Sequence, residues 1–189
     1  MREGHVVGIF VGAEAQAPLA SVPEVRAEAG RGLEGDRYWL GQGTFWKQQP
    51  DYEVTLIETE AIEALAAETG IRIEPRLARR NIATLGVRLN DLVNRVFRVG
   101  EAVLMGIRLC EPCGHLERLT GQILRPGLVG RGGLRAGIVT GGVIRVDDAI
   151  EIEVEHDPGA LRKYYERTQH LIENKAHEFS EPSMLQKTR

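Results

Sequence analysis

Both cysteines of the chain lie in the stretch RLCEPCGHLERL, residues 108–119. Cys110 and Cys113 are separated by Glu111 and Pro112, and His115 follows two residues later. A structural zinc site usually has four Cys or His ligands, which this stretch does not supply. A thioredoxin-like redox pair needs its cysteines at the start of a helix within a βαβ unit, and the surrounding sequence predicts no such unit. A third alternative is a pair of inert, buried thiols.

Cys113 is the better candidate for a functional thiolate. Pro112 fixes the backbone just before it, and Gly114 leaves space around the sulfur. A thiolate at this position could be a soft ligand for a metal cofactor, or it could carry a sulfur atom as a persulfide. The residues alone leave both chemistries open.

A glycine-rich stretch, GLVGRGGLRAGIVTGG, occupies residues 127–142. It lacks the Gly-Lys-Ser/Thr ending of a P-loop, and Arg135 stands where a dinucleotide fingerprint has its third glycine. The stretch predicts either a sharp loop that leads into two hairpin strands, or a loop whose backbone N–H groups and Arg131 face an anionic ligand.

Two further polar clusters contain arginine, which greatly outnumbers lysine in this chain. Asp36-Arg37 follows two glycines, and Arg79-Arg80-Asn81 precedes a β-run. Neighbouring side chains on a strand point to opposite faces, so at most one of the two adjacent arginines is expected to line a given site. Guanidinium groups around Cys113 would stabilise both a thiolate and a phosphate.

The elements that position these residues are mostly short β-runs between glycines, which favours a β-barrel or a sandwich. Turns are predicted at Gly100-Glu101 and at Asp147-Asp148, each between two strands. Residues 13–31 are predicted to be a surface connection. Strands are predicted over residues 5–11, 53–59, 81–84, 95–99, 102–110, 137–140, 142–146 and 149–154.

Helices are predicted in three places. Apolar residues at helical spacing before Gly70 predict a helix over residues 58–69, and a short helix is expected within 115–126. After Asp157-Pro158-Gly159 the pattern predicts a C-terminal helix that packs on the barrel or on another subunit. His170 and His177 are interpreted as solvated residues of that helix, and the last ten residues as frayed.

Composition excludes several classes of protein. Apolar residues make up 42% of the 189-residue chain and charged residues 27%, which is typical of a globular domain. We expect a barrel domain over residues 1–157, with its core motifs in 30–155, and a C-terminal helix and tail over 158–189. A net charge of −3 gives no indication of nucleic-acid binding, and no stretch is apolar enough for a membrane span. A cytoplasmic protein without a structural disulfide is expected.

Four motifs in order resemble the MOSC domain, named after the C-terminal domain of molybdenum-cofactor sulfurase. They are GLEGDRY (32–38), RRNIATLG (79–86), CEPCGHLE (110–117) and GLVGRGGLRAGIVTGGVIRVDDAIE (127–151). The chain looks like the small stand-alone bacterial members, so no pyridoxal phosphate is expected. The resemblance implies a mainly β fold, a MOSC-like β-barrel with a few short helices and a C-terminal helix.

The resemblance also implies the molybdenum cofactor, with Cys113 as the metal ligand and catalytic residue. His115, which flanks the thiol in the sequence, is expected to be a further cofactor-binding residue. Contacts to the pterin or its phosphate are expected from Arg37, Arg80, Asn81 and Arg131. Asp147-Asp148 departs from the Gly-Asp of many members at a turn that is expected to be structural. No role is assigned to Cys110, which could resolve a persulfide on Cys113 or have no function.

Three functions stay open at this level. The first is an oxo-transfer reductase of N-hydroxylated compounds, which needs a separate flavin or iron–sulfur electron donor because the chain has neither motif. The second is a sulfur carrier that holds a persulfide on Cys113, received from a desulfurase. The third is an interaction module with inert thiols. The C-terminal helix could be the surface that binds the donor or a homodimer contact.

Overall fold

The computed structural model describes residues 2–152 and 154–178. Its helices are α1 (Thr59–Thr69), α2 (Gly114–Thr120), α3 (Arg125–Leu128) and α4 (Pro158–Glu178), with 3-10 turns at Pro50–Tyr52, Pro75–Ala78 and Leu89–Leu92. The strands are β1 (Arg2–Val11), β2 (Ala20–Val22), β3 (Glu24–Glu28), β4 (Gly32–Leu33), β5 (Val54–Glu58), β6 (Ile82–Leu85), β7 (Val96–Val99), β8 (Ala102–Leu109), β9 (Leu134–Thr140), β10 (Gly142–Arg145) and β11 (Ala149–Ile152).

Within the described residues, seven strands close into a barrel in the order β11-β7-β8-β9-β5-β6-β1, and β1 pairs again with β11. Neighbouring strands are antiparallel except β5 and β6, which run parallel and are connected through α1. β2 pairs with the end of β1, and β10, β3 and β4 form a second small sheet. The mainly β barrel with few short helices and a C-terminal helix is confirmed.

Alternation along the strands fills the barrel with aliphatic side chains. In β9, for example, Leu134, Ala136 and Ile138 are completely buried, whereas Arg135 between the first two is only half-buried. Successive side chains of a strand point to opposite faces, so every second residue of β9 lies on the inner face of the barrel. Burial of these apolar side chains away from water stabilises the fold. The same alternation carries Arg135 to the outer side of the barrel wall, where it lines the cleft described below.

Two expectations about connections need correction. Residues 13–31 are more than a surface connection, because they contain β2 and β3. Val25 and Ala27 are buried between exposed neighbours, a short alternation hidden in a polar stretch. The strands after the glycine stretch do not form a hairpin, since β10 pairs with β3 and not with β9. The predicted turn at Asp147-Asp148 is confirmed, because it joins β10 to β11, although these two strands belong to different sheets.

Two further local predictions are confirmed. Gly100-Glu101 connects β7 to β8, with Val99 opposite Ala102. The helix predicted over 58–69 is α1, and Gly70 ends it with a φ of 74° that a residue with a side chain rarely adopts.

α4 packs on the outside of the barrel. Tyr164 is buried, and the Arg167 guanidinium donates to Glu53 Oε1 at 2.7 Å and to the Ile138 carbonyl at 2.9 Å. The side chains of His170 and His177, and the tail over 179–189, lie outside the described residues. No helix in the described part of the chain is both long and apolar enough to cross a membrane.

Candidate functional site

A cleft of about 80 Å³ opens where β8 ends and α2 begins, and Cys113 lies on its wall. It is rich in guanidinium groups and aromatic rings. Its lining consists of Arg37, Tyr38, Thr44, Phe45, Tyr52, Thr55, Arg79, Arg80, Asn81, Cys110, Glu111, Cys113, His115, Leu116 and Arg135. We call it the Cys113 cleft.

The two cysteines have opposite environments although both are free thiols. Cys113 is exposed and immediately precedes α2, with extended backbone (φ −137°, ψ 165°). Cys110 is only 2% exposed, and its backbone N–H donates to the Gly133 carbonyl at 2.7 Å. A ligand or reagent that enters the cleft therefore meets the thiol of Cys113 first.

Arg80 holds in place the segment between β8 and α2, residues 110–113, which we call the cysteine loop. Its guanidinium donates to the carbonyl oxygens of Gly132 at 3.0 Å, Ala78 at 3.0 Å and Cys110 at 2.7 Å. Arg80 is only 7% exposed, and its planar guanidinium donates these hydrogen bonds to three backbone carbonyls inside the protein. Arg80 is therefore a brace that connects the cysteine loop to the glycine loop, which we define as residues 129–133 between α3 and β9.

Gly132 explains why the glycine loop is dense in glycine at this point. A Cβ at this position would lie 2.7 Å from the carbonyl oxygen of Cys110 and 2.9 Å from Cδ of Pro112. The loop packs directly on the cysteine loop, and only a residue without a side chain fits between them.

Arg37 is positioned by a buried carboxylate. Asp36 is 2% exposed, and its Oδ2 accepts from Arg37 Nη1 at 3.0 Å and from Asn81 Nδ2 at 3.2 Å. Asn81 Oδ1 in turn accepts from the hydroxyl of Thr55 at 2.8 Å. Both polar atoms of the Asn81 amide thus have partners within the protein, and Asn81 acts as a second brace.

Two arginines that sequence reasoning passed over also line the cleft. Arg79 is not on a strand: it ends the Pro75–Ala78 turn with left-handed backbone (φ 59°), so both adjacent arginines reach the same cleft. Burial, with the neighbouring Arg37 charge, lowers the pKa of Arg79. Pro75, which opens the turn, was the available signal for non-extended backbone.

Arg135 is the second of these. Its guanidinium lies 4.9 Å from the centre of the Tyr52 ring, and its Nη1 donates to the Asp51 carbonyl at 3.1 Å. Its Nε is buried and has no hydrogen-bond partner among the described residues. An unsatisfied buried N–H of a cation is costly, and an anionic ligand in the cleft is the kind of group that would satisfy it.

Aromatic rings form the outer walls. Tyr38 stacks on Tyr52 with ring centres 6.0 Å apart, and Phe45 meets His115 edge to face at 5.1 Å. Burial raises the pKa of Tyr38, and it lowers the pKa of His115, to which Arg118 and Arg79 add repulsion. Both groups are therefore biased toward their neutral forms.

Arg131 lies elsewhere. Its guanidinium pairs with Glu68 of α1, and its Nε donates to the Gly127 carbonyl at 2.8 Å. It does not line the Cys113 cleft. Of the residues expected from the sequence, the structure brings together Cys113, His115, Arg37, Arg80 and Asn81.

The cleft has the chemistry of an anion site. Four arginines line it, and among the described residues Arg37 is the one of the four that forms a salt bridge, with Asp36. Glu111, the acidic residue of the lining, accepts from the Gly130 N–H at 3.0 Å. No group of three or more Cys, His, Asp or Glu side chains that could hold a metal occurs among residues 2–152 and 154–178.

These features define a class: a closed β-barrel protein with an exposed thiol in an arginine-lined cleft. A family model of the MOSC domain matches residues 44–151, which is more than half of the chain. The chain belongs to the MOSC domain family.

Solved structures agree with the fold. The YuaD protein from Bacillus subtilis superposes with a TM-score of 0.66 at 17% identity, over 81% of this chain and 97% of that one. YiiM from Escherichia coli gives 0.60 at 20% identity, over 83% and 72%. YiiM from Geobacillus stearothermophilus gives 0.60 at 17%, over 90% and 85%. At these identities the likeness concerns the fold alone.

One curated relative aligns with part of the chain. A tRNA dimethylallyltransferase from Rubrobacter xylanophilus is 35% identical over 113 residues, which are 59% of this chain and 37% of that protein. The chain thus spans little more than a third of the curated relative that it matches.

Proposed function

We propose that this MOSC protein binds the molybdenum cofactor in the Cys113 cleft, with the Cys113 thiolate as the protein's ligand to molybdenum. The observation that carries the proposal is an exposed thiol in a cleft lined by four arginines, one of which has a buried Nε without a partner among the described residues. A soft thiolate suits molybdenum, and guanidinium groups suit a phosphate.

Each residue has a distinct task in this proposal. Cys113 supplies one sulfur, which suits a metal that arrives within a cofactor because the cofactor provides other ligands. Arg135 and Arg79 attract the anionic part of the cofactor. Arg37 adds charge, and the buried carboxylate of Asp36 holds it in position. Arg80 holds the cysteine loop in place, and Asn81 holds the loop after β4 that contains Asp36.

The bound metal would supply two-electron oxo transfer, and reduction of an N-hydroxylated compound is the reaction class that we propose. The electrons must come from outside, so we propose a flavin or iron–sulfur protein as donor. The cleft's own contribution is a low-dielectric wall of rings and a field of fixed positive charge. His115 lines the cleft together with Cys113.

A second candidate is a sulfur carrier, in which Cys113 receives a sulfur atom from a desulfurase and passes it on. Two observations favour it: Cys113 is exposed, and the cleft volume of about 80 Å³ is below the range typical of small-molecule pockets. A persulfide needs little space and gains from the same positive field.

Metal and sulfur content separate the two candidates. The full-length protein is produced in a molybdate-fed host, and molybdenum, released pterin and cyanide-labile sulfur are measured for the wild type, Cys113→Ser and Arg135→Gln. Arg145→Gln is the matched control, because Arg145 pairs with Glu24 and Glu101 away from the cleft.

For cofactor binding we expect molybdenum and pterin close to one per chain in the wild type and in Arg145→Gln. We expect loss of molybdenum in Cys113→Ser and reduced pterin in Arg135→Gln. Cyanide-labile sulfur without metal, lost in Cys113→Ser, would establish the carrier instead. Metal and sulfur contents that are equal in all four proteins would contradict both functions.

A further inference from the structure

A second pocket of about 280 Å³ lies directly beside the Cys113 cleft. Tyr38 and Tyr52 line both cavities, so their stacked rings are the wall between them. The pocket's other principal residues are Trp39, Trp46, Lys47 and Gln49. We call it the tryptophan pocket, since it contains both tryptophans of the chain.

Trp39 is a fixed platform. Its indole Nε1 donates to Glu28 Oε2 at 3.0 Å, and the Arg31 guanidinium lies 3.7 Å from the centre of its ring. Trp46, which also lines the pocket, is 45% exposed. Large aromatic rings that face a concavity present apolar, polarisable surface on which a planar ring can stack.

Two polar groups of the pocket, on Lys47 and Gln49, have no partner among the described residues. Glu53, by contrast, already accepts hydrogen bonds from Arg167 and from the Ile138 N–H. The ammonium of Lys47 has no ion pair among the described residues. Gln49 Oε1 is buried, and it has no hydrogen-bond partner in the described part of the chain. A cation and an unsatisfied acceptor complement a ligand that has an anionic group and an N–H donor.

We propose that the tryptophan pocket binds a planar heteroaromatic ring that carries an N–H donor and an anionic group, which is the chemistry of a nucleotide. The ring lies on the tryptophans, and the anionic group pairs with Lys47. The base donates a hydrogen bond to Gln49 Oε1. Because the Tyr38–Tyr52 wall is shared, the occupant sits next to whatever Cys113 holds.

The proposal goes beyond the function of Cys113 and can be tested without it. Metal-free, full-length protein is titrated with the 5′-monophosphates of adenosine, cytidine and guanosine, and tryptophan fluorescence is excited at the red edge to avoid the nucleotides' own absorption. Both tryptophans line the pocket, so the signal reports on this site. Isothermal calorimetry gives the same affinities independently of fluorescence.

We expect saturable quenching by at least one monophosphate, with a Kd below about 1 mM. Trp46→Ala should weaken binding by about tenfold, and Trp46→Phe should restore much of it, because stacking needs a ring. Lys47→Gln should weaken the monophosphate and leave the corresponding nucleoside unchanged. Leu40→Ala, an exposed change on the same connection, is the control that should bind as the wild type does.

No saturable binding up to about 5 mM of any monophosphate would overturn the proposal. So would binding that is equal in Trp46→Ala, Lys47→Gln and the wild type. The ring can come from the group held at Cys113 or from a separate molecule. If protein from a molybdate-fed host loses nucleotide binding in proportion to its retained pterin, the ring belongs to that group; if binding persists, it belongs to a separate molecule.

Discussion

The amide of Asn81 donates a 3.2 Å hydrogen bond to the carboxylate of Asp36, 45 residues away along the chain. The bond joins the loop after β4 to the start of β6, and both ends are buried. Asp36 also accepts from the Tyr38 N–H at 3.0 Å and from the Gly12 N–H at 3.3 Å. One carboxylate thus orients Arg37 and fixes two loops that form the cleft.

Asp36→Asn is expected to destabilise the fold. The variant leaves the Arg37 guanidinium, which is 6% exposed, without its anion, and loss of one member of a buried pair costs roughly 3–5 kcal/mol. Urea unfolding measures the loss. Glu34→Gln is the matched control, since the Arg26–Glu34 pair is exposed and 3.9 Å apart, and it should cost less than about 1 kcal/mol. Equal losses in the two variants would show that Asp36 is not a buried anchor.

Arg80→Lys should be far from conservative. A lysine ammonium cannot reach the three carbonyls that the planar guanidinium joins, and buried acceptors left unpaired cost about 1–3 kcal/mol each. We expect a lower free energy of unfolding and a changed rate of thiol modification at Cys113. Arg88→Lys, at an exposed i,i+3 pair, should leave both quantities unchanged. A folded, wild-type-like Arg80→Lys would rule out the brace.

The barrel was accessible from the sequence because alternation and turn signals are local. The strands predicted at 95–99, 102–110 and 149–154 correspond to β7, β8 and β11, and each prediction follows from a β-run beside a glycine or aspartate turn. Residue 153 of the last prediction lies outside the described residues. The sheet to which a strand belongs is not local information, and β10 was therefore expected beside β9. Its actual partner, β3, has only two buried side chains, Val25 and Ala27.

The site was predicted in part for the same reason. Cys113, His115 and Arg37 could be selected by residue type and short motif, whereas Arg79 required knowledge of a left-handed backbone. Arg131 and Arg135 cannot be told apart by charge. Arg135 lines the cleft, whereas Arg131 is held away from it by Glu68 of α1, which only the tertiary structure shows. Motifs identify groups that can do chemistry, and tertiary packing decides which of them meet.

Cys113 and Cys110 should differ sharply in thiol reactivity. We expect an aromatic disulfide reagent to modify one thiol per native chain and both in denaturant, because Cys110 is 2% exposed and reacts only after opening of the structure. Cys113→Ser should abolish the fast reaction, whereas Cys110→Ser should keep it. Fast modification of both thiols in the native wild type would contradict the burial of Cys110.

Glu53 makes stability depend on pH in a direction opposite to that of most carboxylates. It is 8% exposed, and burial raises its pKa above the ordinary value of 4.5 despite the bonds from Ile138 and Arg167. The folded state then holds the proton more tightly than the unfolded state, so the free energy of unfolding falls as pH rises from 4.5 through the raised pKa. Glu53→Gln does not titrate, and Arg167 stays charged throughout.

Urea unfolding from about pH 4 to pH 8 should therefore show the wild type losing stability relative to Glu53→Gln as pH increases. Glu101→Gln is a control with the opposite pH dependence. The hydrogen bond from Arg145 lowers the pKa of Glu101, so the stabilisation that Glu101 gives the folded state is lost as pH falls. If the wild type instead keeps or gains stability relative to Glu53→Gln as pH rises, the contact with Arg167 offsets or outweighs the effect of burial on this carboxylate.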